Sequence, residues 1–210
     1  MNGNIYSNYL KRCFDILCSL IMLVVFSPLM IILYLIVRAE DPSGSFLFKQ
    51  KRAGKNGKVF KVIKIRTMKQ ITYENGTKLS DKDRLLKSGN IIRKLSLDEI
   101  PQVINILRGD MSFIGPRPLP VRYLPYYTDK ESKRHDVFPG ISGLAQVKGR
   151  NLSPWKERFE WDVYYVKNIS FLLDLKILLL TILKVIKKEK VVLKDDNPLQ
   201  DLDIERRDII

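Results

Sequence analysis

ILCSLIMLVVFSPLMIILYLIV, residues 16–37, is the stretch that decides how this chain is built. Its 22 residues carry no charge. At about 1.5 Å per residue a helix of that length reaches roughly 33 Å, enough for a bilayer core of about 30 Å. A cleaved signal peptide fits poorly, because the run is too long and no small-residue cleavage site follows it. Arg38-Ala39-Glu40-Asp41 follows instead. Ser27-Pro28 divides the run into two arms, 16–26 and 29–37. Proline removes a backbone donor and clashes with the preceding turn, and Ser27 can satisfy the carbonyl so freed. Lys11 and Arg12 precede the run and Arg38 follows it. Positive residues on both flanks favour placing both ends on the cytoplasmic side. A re-entrant hairpin meets both demands, and a kinked span is the alternative the residues leave open.

Charge is concentrated just beyond this segment. The chain of 210 residues has 37 Lys/Arg against 23 Asp/Glu, a net charge of +14. Residues 38–94 alone hold sixteen Lys/Arg and five acids. Such a balance calls for an anionic partner: nucleic acid, a membrane surface or a phosphorylated substrate. With 45% apolar and 29% charged residues the chain is not disordered, and its length suits one domain with an anchoring element. Cys13 and Cys18 are too few for a disulfide scaffold or a structural zinc site. A lone histidine, His135, excludes His-based metal clusters and disfavours a Ser-His-Asp triad.

Further along, residues 46–48 and 59–65 read as strands joined by a Lys55-Asn56-Gly57 turn, and residues 80–94 as polar helix or loop. Ile100, Val103, Ile104 and Leu107 form one apolar helical face, with Arg108-Gly109 as the stop. Ser96 and Glu99 have capping-box spacing, but that frame puts Pro101 where a hydrogen bond is needed. Making Asp98 the N-cap moves Pro101 into the first turn. Asp98 and Glu99 are therefore expected at a helix N-terminus, where Asp98 is either a simple cap or a functional carboxylate. Three prolines in 115–120 make a rigid extended loop around Arg117, which suits a phosphate unless the guanidinium is merely solvated. Residues 138–143 read as a loop and 161–166 as an aromatic helix or strand. Residues 171–190 suit an interfacial helix or a core helix. Asp174 within that apolar stretch needs a partner, a nearby Lys such as Lys176 or an arginine. Residues 195–210 read as a loose polar tail.

Taken together these motifs resemble the bacterial sugar transferases, the small monotopic phosphoglycosyl transferases. The resemblance is carried by Lys11-Arg12-x-x-Asp15 before the Ser27-Pro28 break, Lys64-Ile65-Arg66-Thr67-Met68, Leu97-Asp98-Glu99-Ile100-Pro101-Gln102, Gly109-Asp110-Met111-Ser112, Gly115-Pro116-Arg117-Pro118 and Pro139-Gly140-Ile141-Ser142-Gly143. Any one is weak; their order and spacing together are specific. The resemblance implies an α/β architecture, mostly α with a small β-hairpin. It implies a re-entrant membrane hairpin over 1–40, broken at Ser27 and Pro28. A cytoplasmic catalytic domain over 41–194, including an interfacial helix at 171–190, and a tail at 195–210 complete the expected organisation. It also implies a bacterial inner-membrane enzyme facing the cytoplasm. Such an enzyme transfers a sugar 1-phosphate from a UDP-sugar to undecaprenyl phosphate, releases UMP and needs Mg²⁺. Asp98 would be the nucleophile and Glu99 a Mg²⁺ ligand. Arg93 matches the arginine five residues before the dyad, and Pro116, Arg117 and Pro118 match the nucleotide end of the site. Lys64, Arg66, Asp162 and Asp174 complete the candidate substrate-contacting residues. Lipids and the two substrates are the expected partners, with no nucleic acid.

The implied chemistry is physically sound. A lipid phosphate is already anionic near neutral pH and needs no general base, so an essential carboxylate is better explained as nucleophile or metal ligand. The competing reading is a non-enzymatic membrane-anchored module that binds anionic lipid or nucleic acid through 38–94. That reading gives no reason for Asp98-Glu99 or for the rigid Arg117 loop.

Overall fold

In the computed structural model, residues 6–71, 73–74, 77–149, 153–187 and 200–207 are described. The first five residues, the basic finish of 171–190 at 188–190, and 195–199 and 208–210 of the expected tail lie outside them.

Helix α1 runs from Lys11 to Glu40, about 45 Å, and its helical backbone continues through Pro28. The two separate arms expected from the sequence are thus one assigned helix. Pro28 has no N–H for the carbonyl of Val24, and the Ser27 hydroxyl donates to that oxygen instead at 2.8 Å. By length and composition α1 can cross a membrane. Its middle is exposed at Leu20, Ile21, Val24, Val25, Ile31 and Ile32, yet its two ends are tied to the same body. At the first turn Arg12 donates to the carbonyls of Ile106 (2.7 Å) and Leu107 (3.2 Å). One turn on, Asp15 accepts from the Ser112 hydroxyl and the Phe113 N–H, both at 3.1 Å. At the far end Leu33 and Val37 pack with Ile65, Leu86 and Ile92.

Strands β1 (Leu47–Ala53) and β2 (Val59–Ile65) pair antiparallel, Leu47 opposite Ile65. Asn56 and Gly57 take left-handed backbone at the turn, as the sequence predicts. Alternation places Phe48, Gln50 and Arg52 on the same hairpin face as Lys64. A short pair follows, β3 (Tyr73–Glu74) and β4 (Thr77–Lys78), then helices α2 (Asp81–Arg84) and α3 (Lys87–Lys94). Leu86 at the start of α3 has no capping atom, and the carboxylate of Glu40 accepts from the Lys87 and Ser88 N–H groups in its place.

Helix α4 (Gln102–Arg108) ends at Gly109 with φ 83°, the predicted stop. Its inward face is rotated from the one expected. Val103 and Ile106 are fully buried, and so is Asn105. Asn105 accepts from the Ile63 N–H at 3.0 Å and donates to the Lys61 carbonyl at 2.8 Å, which stitches α4 to the edge of β2. Residues 140–142, read as loop, form strand β6 (Gly140–Ser142), parallel to β5 (Ser112–Ile114). The fit there is close enough that a Cβ on Gly140 would lie 2.1 Å from the Gly115 nitrogen.

The remaining helices are α5 (Asp129–Ser132), α6 (Leu144–Lys148), α7 (Trp155–Lys167), α8 (Phe171–Ile186) and α9 (Leu202–Glu205). One face of α8 docks through Asp174 and Ile177, while Leu172, Leu175, Leu179, Ile182 and Leu183 stay exposed. Two expectations change. The partner of Asp174 is not Lys176: it accepts from the Tyr6 and Tyr165 hydroxyls, each at 2.7 Å, and pairs with Lys11. The C-terminal segment at 200–207 is not loose, because Leu202 is completely buried beside Tyr123, Trp155 and Phe159.

Candidate active site

A cleft of about 950 Å³ opens between the β-hairpin, α3, α4 and α8. Eight Lys or Arg residues line it against two acids, Asp98 and Glu99. The two acids sit on a single 3-10 turn, Leu97–Glu99, after Ser96 in the left-handed region at φ 55°. A non-glycine residue there costs about 1 kcal/mol, and such strain gathers at functional sites. Pro101, not Asp98, stands at the N-cap of α4, and Ser96 makes no cap bond. Asp98 is therefore neither an N-cap nor part of a capping box. The helix starts three residues later than expected, and the turn before it leaves both carboxylates facing the cleft.

Lys64 holds the dyad together. Its ammonium lies 3.2 Å from Asp98 and 2.8 Å from Glu99. Arg117 reaches Glu99 at 3.2 Å from the opposite side. The consequences for the two acids differ. Burial raises the Glu99 carboxyl, but Lys64 and Arg117 outweigh it and hold it at about 2. Burial also raises Asp98; Lys64 opposes this, the adjacent Glu99 charge adds to it, and the result stands above the ordinary value. Asp98 thus does not cap α4, and burial pushes its carboxyl up.

Arg93, in the last turn of α3, donates to the Thr67 hydroxyl at 2.8 Å and lines the cleft. Burial lowers its pKa while the charge of Asp98 raises it, and a guanidinium stays protonated throughout the working range. Pro116 and Pro118 hold Arg117 in an extended loop, anchored by the Gly140 N–H on the Pro116 carbonyl (3.0 Å) and by Arg134 on the Arg117 carbonyl (2.7 Å). Ser142, Gln146, Thr181 and Lys184 form the far wall, with Met22 of α1 and Leu178 of α8 beside them.

The cleft thus brings together Lys64, Arg93, Asp98, Glu99 and Arg117. The other candidates are placed differently. Arg66 borders the cleft, but its guanidinium is buried on Asp41 and on the carbonyl of Ser45 at 2.6 Å, so it braces the end of α1. Asp162 pairs with the buried Arg134 at 2.8 Å. Asp174 ties Tyr6, Lys11 and Tyr165. The carboxylates of Asp162 and Asp174 are taken up by interior partners and do not line the cleft. The sequence reading does not reach Arg134 or Arg52: Arg134 meets Asp162 across 28 positions, and Arg52 lies beyond the strand expected at 46–48.

Among the described residues no group of three or more His, Cys, Asp or Glu side chains converges. Asp98 and Glu99 supply hard oxygen donors, and Mg²⁺ typically takes one or two carboxylates plus substrate phosphates. The Lys64 ammonium already rests between them, so the pair is arranged around a positive charge.

Two carboxylates set among arginines and lysines in an open cleft suit chemistry on a phosphorylated substrate. The sequence profile of the bacterial sugar transferases matches residues 6–188, and the chain belongs to that family. It is 48% identical over 182 residues to the uncharacterized sugar transferase EpsL of Bacillus subtilis, covering 87% of this chain and 90% of that protein. It is 37% identical to the undecaprenyl-phosphate galactose phosphotransferase of Salmonella typhimurium over 90% of this chain but 42% of that protein. Against the UDP-glucose:undecaprenyl-phosphate glucose-1-phosphate transferase of Caulobacter vibrioides identity is 35%, over 82% of this chain and 68% of the relative.

Proposed function

We propose that this chain transfers a sugar 1-phosphate from a UDP-sugar to undecaprenyl phosphate at the cytoplasmic face of the bacterial inner membrane, opening assembly of a glycoconjugate. The observation that carries this reading is the Asp98-Glu99 pair in a cationic cleft that α8 lines, with Met22 of α1 at its edge. An Asp98 carboxylate oxygen attacks the sugar-bearing phosphorus, and the bond to the UMP oxygen breaks. UMP leaves with that electron pair. A lipid phosphate oxygen then attacks the same phosphorus, and Asp98 is released as carboxylate. Splitting the transfer lets the soluble donor leave before the lipid arrives.

Arg93 and Arg117 offset the repulsion between the carboxylate and the diphosphate, with Arg117 at the nucleotide end. Glu99, with Asp98 beside it, would hold Mg²⁺, which supplies charge neutralisation on the diphosphate when bound. A re-entrant α1 is supported by the attachment of both its ends, through Arg12 and through Val37, to one body that cannot lie on both sides of a bilayer.

The test is UMP release from a panel of UDP-sugars by detergent-purified protein with Mg²⁺, with and without undecaprenyl phosphate. Lipid-dependent release supports the reading and names the sugar. No release from folded protein with a panel of common UDP-hexoses and UDP-N-acetylhexosamines would overturn it.

A further inference from the structure

The C-terminal residues 200–207 lie beyond the family match at 6–188, yet they are bound tightly to the body. Leu202 fills a pocket among Tyr123, Trp155 and Phe159. Asp201 accepts from Arg122 at 2.7 Å and from the Tyr123 hydroxyl at 2.9 Å. The indole N–H of Trp155 donates to the Gln200 carbonyl at 3.0 Å. Arg206 makes a two-pronged pair with Glu131, at 2.6 and 2.8 Å, and its guanidinium lies 5.7 Å from the Phe159 ring centre. On the same ring, at 5.6 Å, sits Arg134. Arg134 is the residue that donates to the Arg117 carbonyl and so fixes the loop whose side chain meets Glu99.

We infer that residues 200–207 are a strap that positions Arg117 for the nucleotide of the donor, through Phe159 and Arg134. Leu202 and Arg206 are positioning residues: neither lines the cleft. A loose strap would uncover Phe159, release Arg134 from one side and let the 115–118 loop drift, weakening the grip on nucleotide while leaving Asp98 in place. The inference rests on the proposed placement of Arg117 at the nucleotide.

The experiment uses full-length protein in detergent, UMP with Mg²⁺ as the probe, and hydrogen exchange of peptides covering 113–119. Leu202→Ser should weaken UMP binding about tenfold, within the range carried by packed networks, and speed exchange over 113–119. Leu202→Met should restore both. In an Arg117→Ala background Leu202→Ser should cost UMP binding nothing more. In turnover the donor KM should rise while kcat stays within about twofold. Arg206→Gln is the second variant if Leu202→Ser does not fold. Unchanged exchange and binding in folded Leu202→Ser would overturn the strap, as would equal weakening in both backgrounds. Faster exchange in a protein whose wild type binds no UMP would uphold the mechanical link and count against the proposed function instead.

Discussion

Asp98 and Glu99 are neighbours whose surroundings push them in opposite directions. Asp98 stands above its ordinary pKa, so its ionised form disfavours the fold; that stability is present below the unfolded pKa and lost as pH rises through the folded one. Asp98→Asn should therefore abolish transfer and yet leave Tm equal or higher at pH 7. Glu99 is held at about 2, so its contribution is present above about 4.5 and lost as pH falls toward 2. Glu99→Gln should lower Tm at pH 7 by roughly 2–8 °C, for a loss of about 1–2 kcal/mol, and match wild type near pH 2. Calorimetry across pH 2–8 checks both signs; a drop in Tm for Asp98→Asn as large as that for Glu99→Gln would contradict them. Lys64 takes the place of a cation between the two acids. Lys64→Met should lower the metal-free Tm and enlarge the rise in Tm that Mg²⁺ produces, whereas a smaller rise would mean that Lys64 helps to hold the metal. The dyad and its arginines were legible because the chemistry sits in contiguous motifs. The pairing of Lys64 with both acids was not, because it joins residues 34 and 35 positions apart.

Among the elements, α1 carries the membrane reading. Its exposed middle and its docked ends make opposite demands, and Ser27 with Pro28 lies between them. Replacing both by Leu removes the proline and favours a straight span, which must sever Lys11 from Asp174 and Arg12 from the end of α4. A cysteine at position 3, in a Cys13→Ser, Cys18→Ser background, should then label from the far side of the membrane. Cytoplasmic labelling in both forms would show that the anchors, and not Ser27-Pro28, decide topology. The hairpin and the presence and stop of helix α4 were readable locally, although β1 runs on to Ala53 and the buried face of α4 is rotated. Strand β6 was not, because three residues paired in parallel across a 28-residue separation leave no local period.

At the scale of the whole molecule, most of the exposed large apolar side chains among the described residues lie on two helices. The middle of α1 and the outer face of α8 are exposed, while the cationic cleft opens beside them. Under the proposed function this arrangement would place a lipid phosphate near Asp98 with its chain still in the bilayer, and each basic residue near an anionic surface would add about 1 kcal/mol of attraction. Leu175→Asp with Leu179→Asp, on exposed positions of α8, should raise the KM for undecaprenyl phosphate in vesicles at least several-fold and leave the donor KM unchanged. An equal rise for both substrates would place α8 in the fold and not at the membrane.

The sequence by itself determined the apolar segment, the hairpin, the stop of α4, the family and the placing of the acidic pair with its arginines. Each of these is written in neighbouring residues, where periodicity, proline and motif spacing act locally. Only the tertiary structure decided that Asp174 and Asp162 serve interior partners, that Asp98 is pushed up while Glu99 is held down, and that residues 200–207 bind the body. Those outcomes depend on groups distant in the chain: Lys11 meets Asp174 across 163 positions, and Arg122 meets Asp201 across 79. Burial and Coulomb interaction act on distances in space, which sequence spacing does not record.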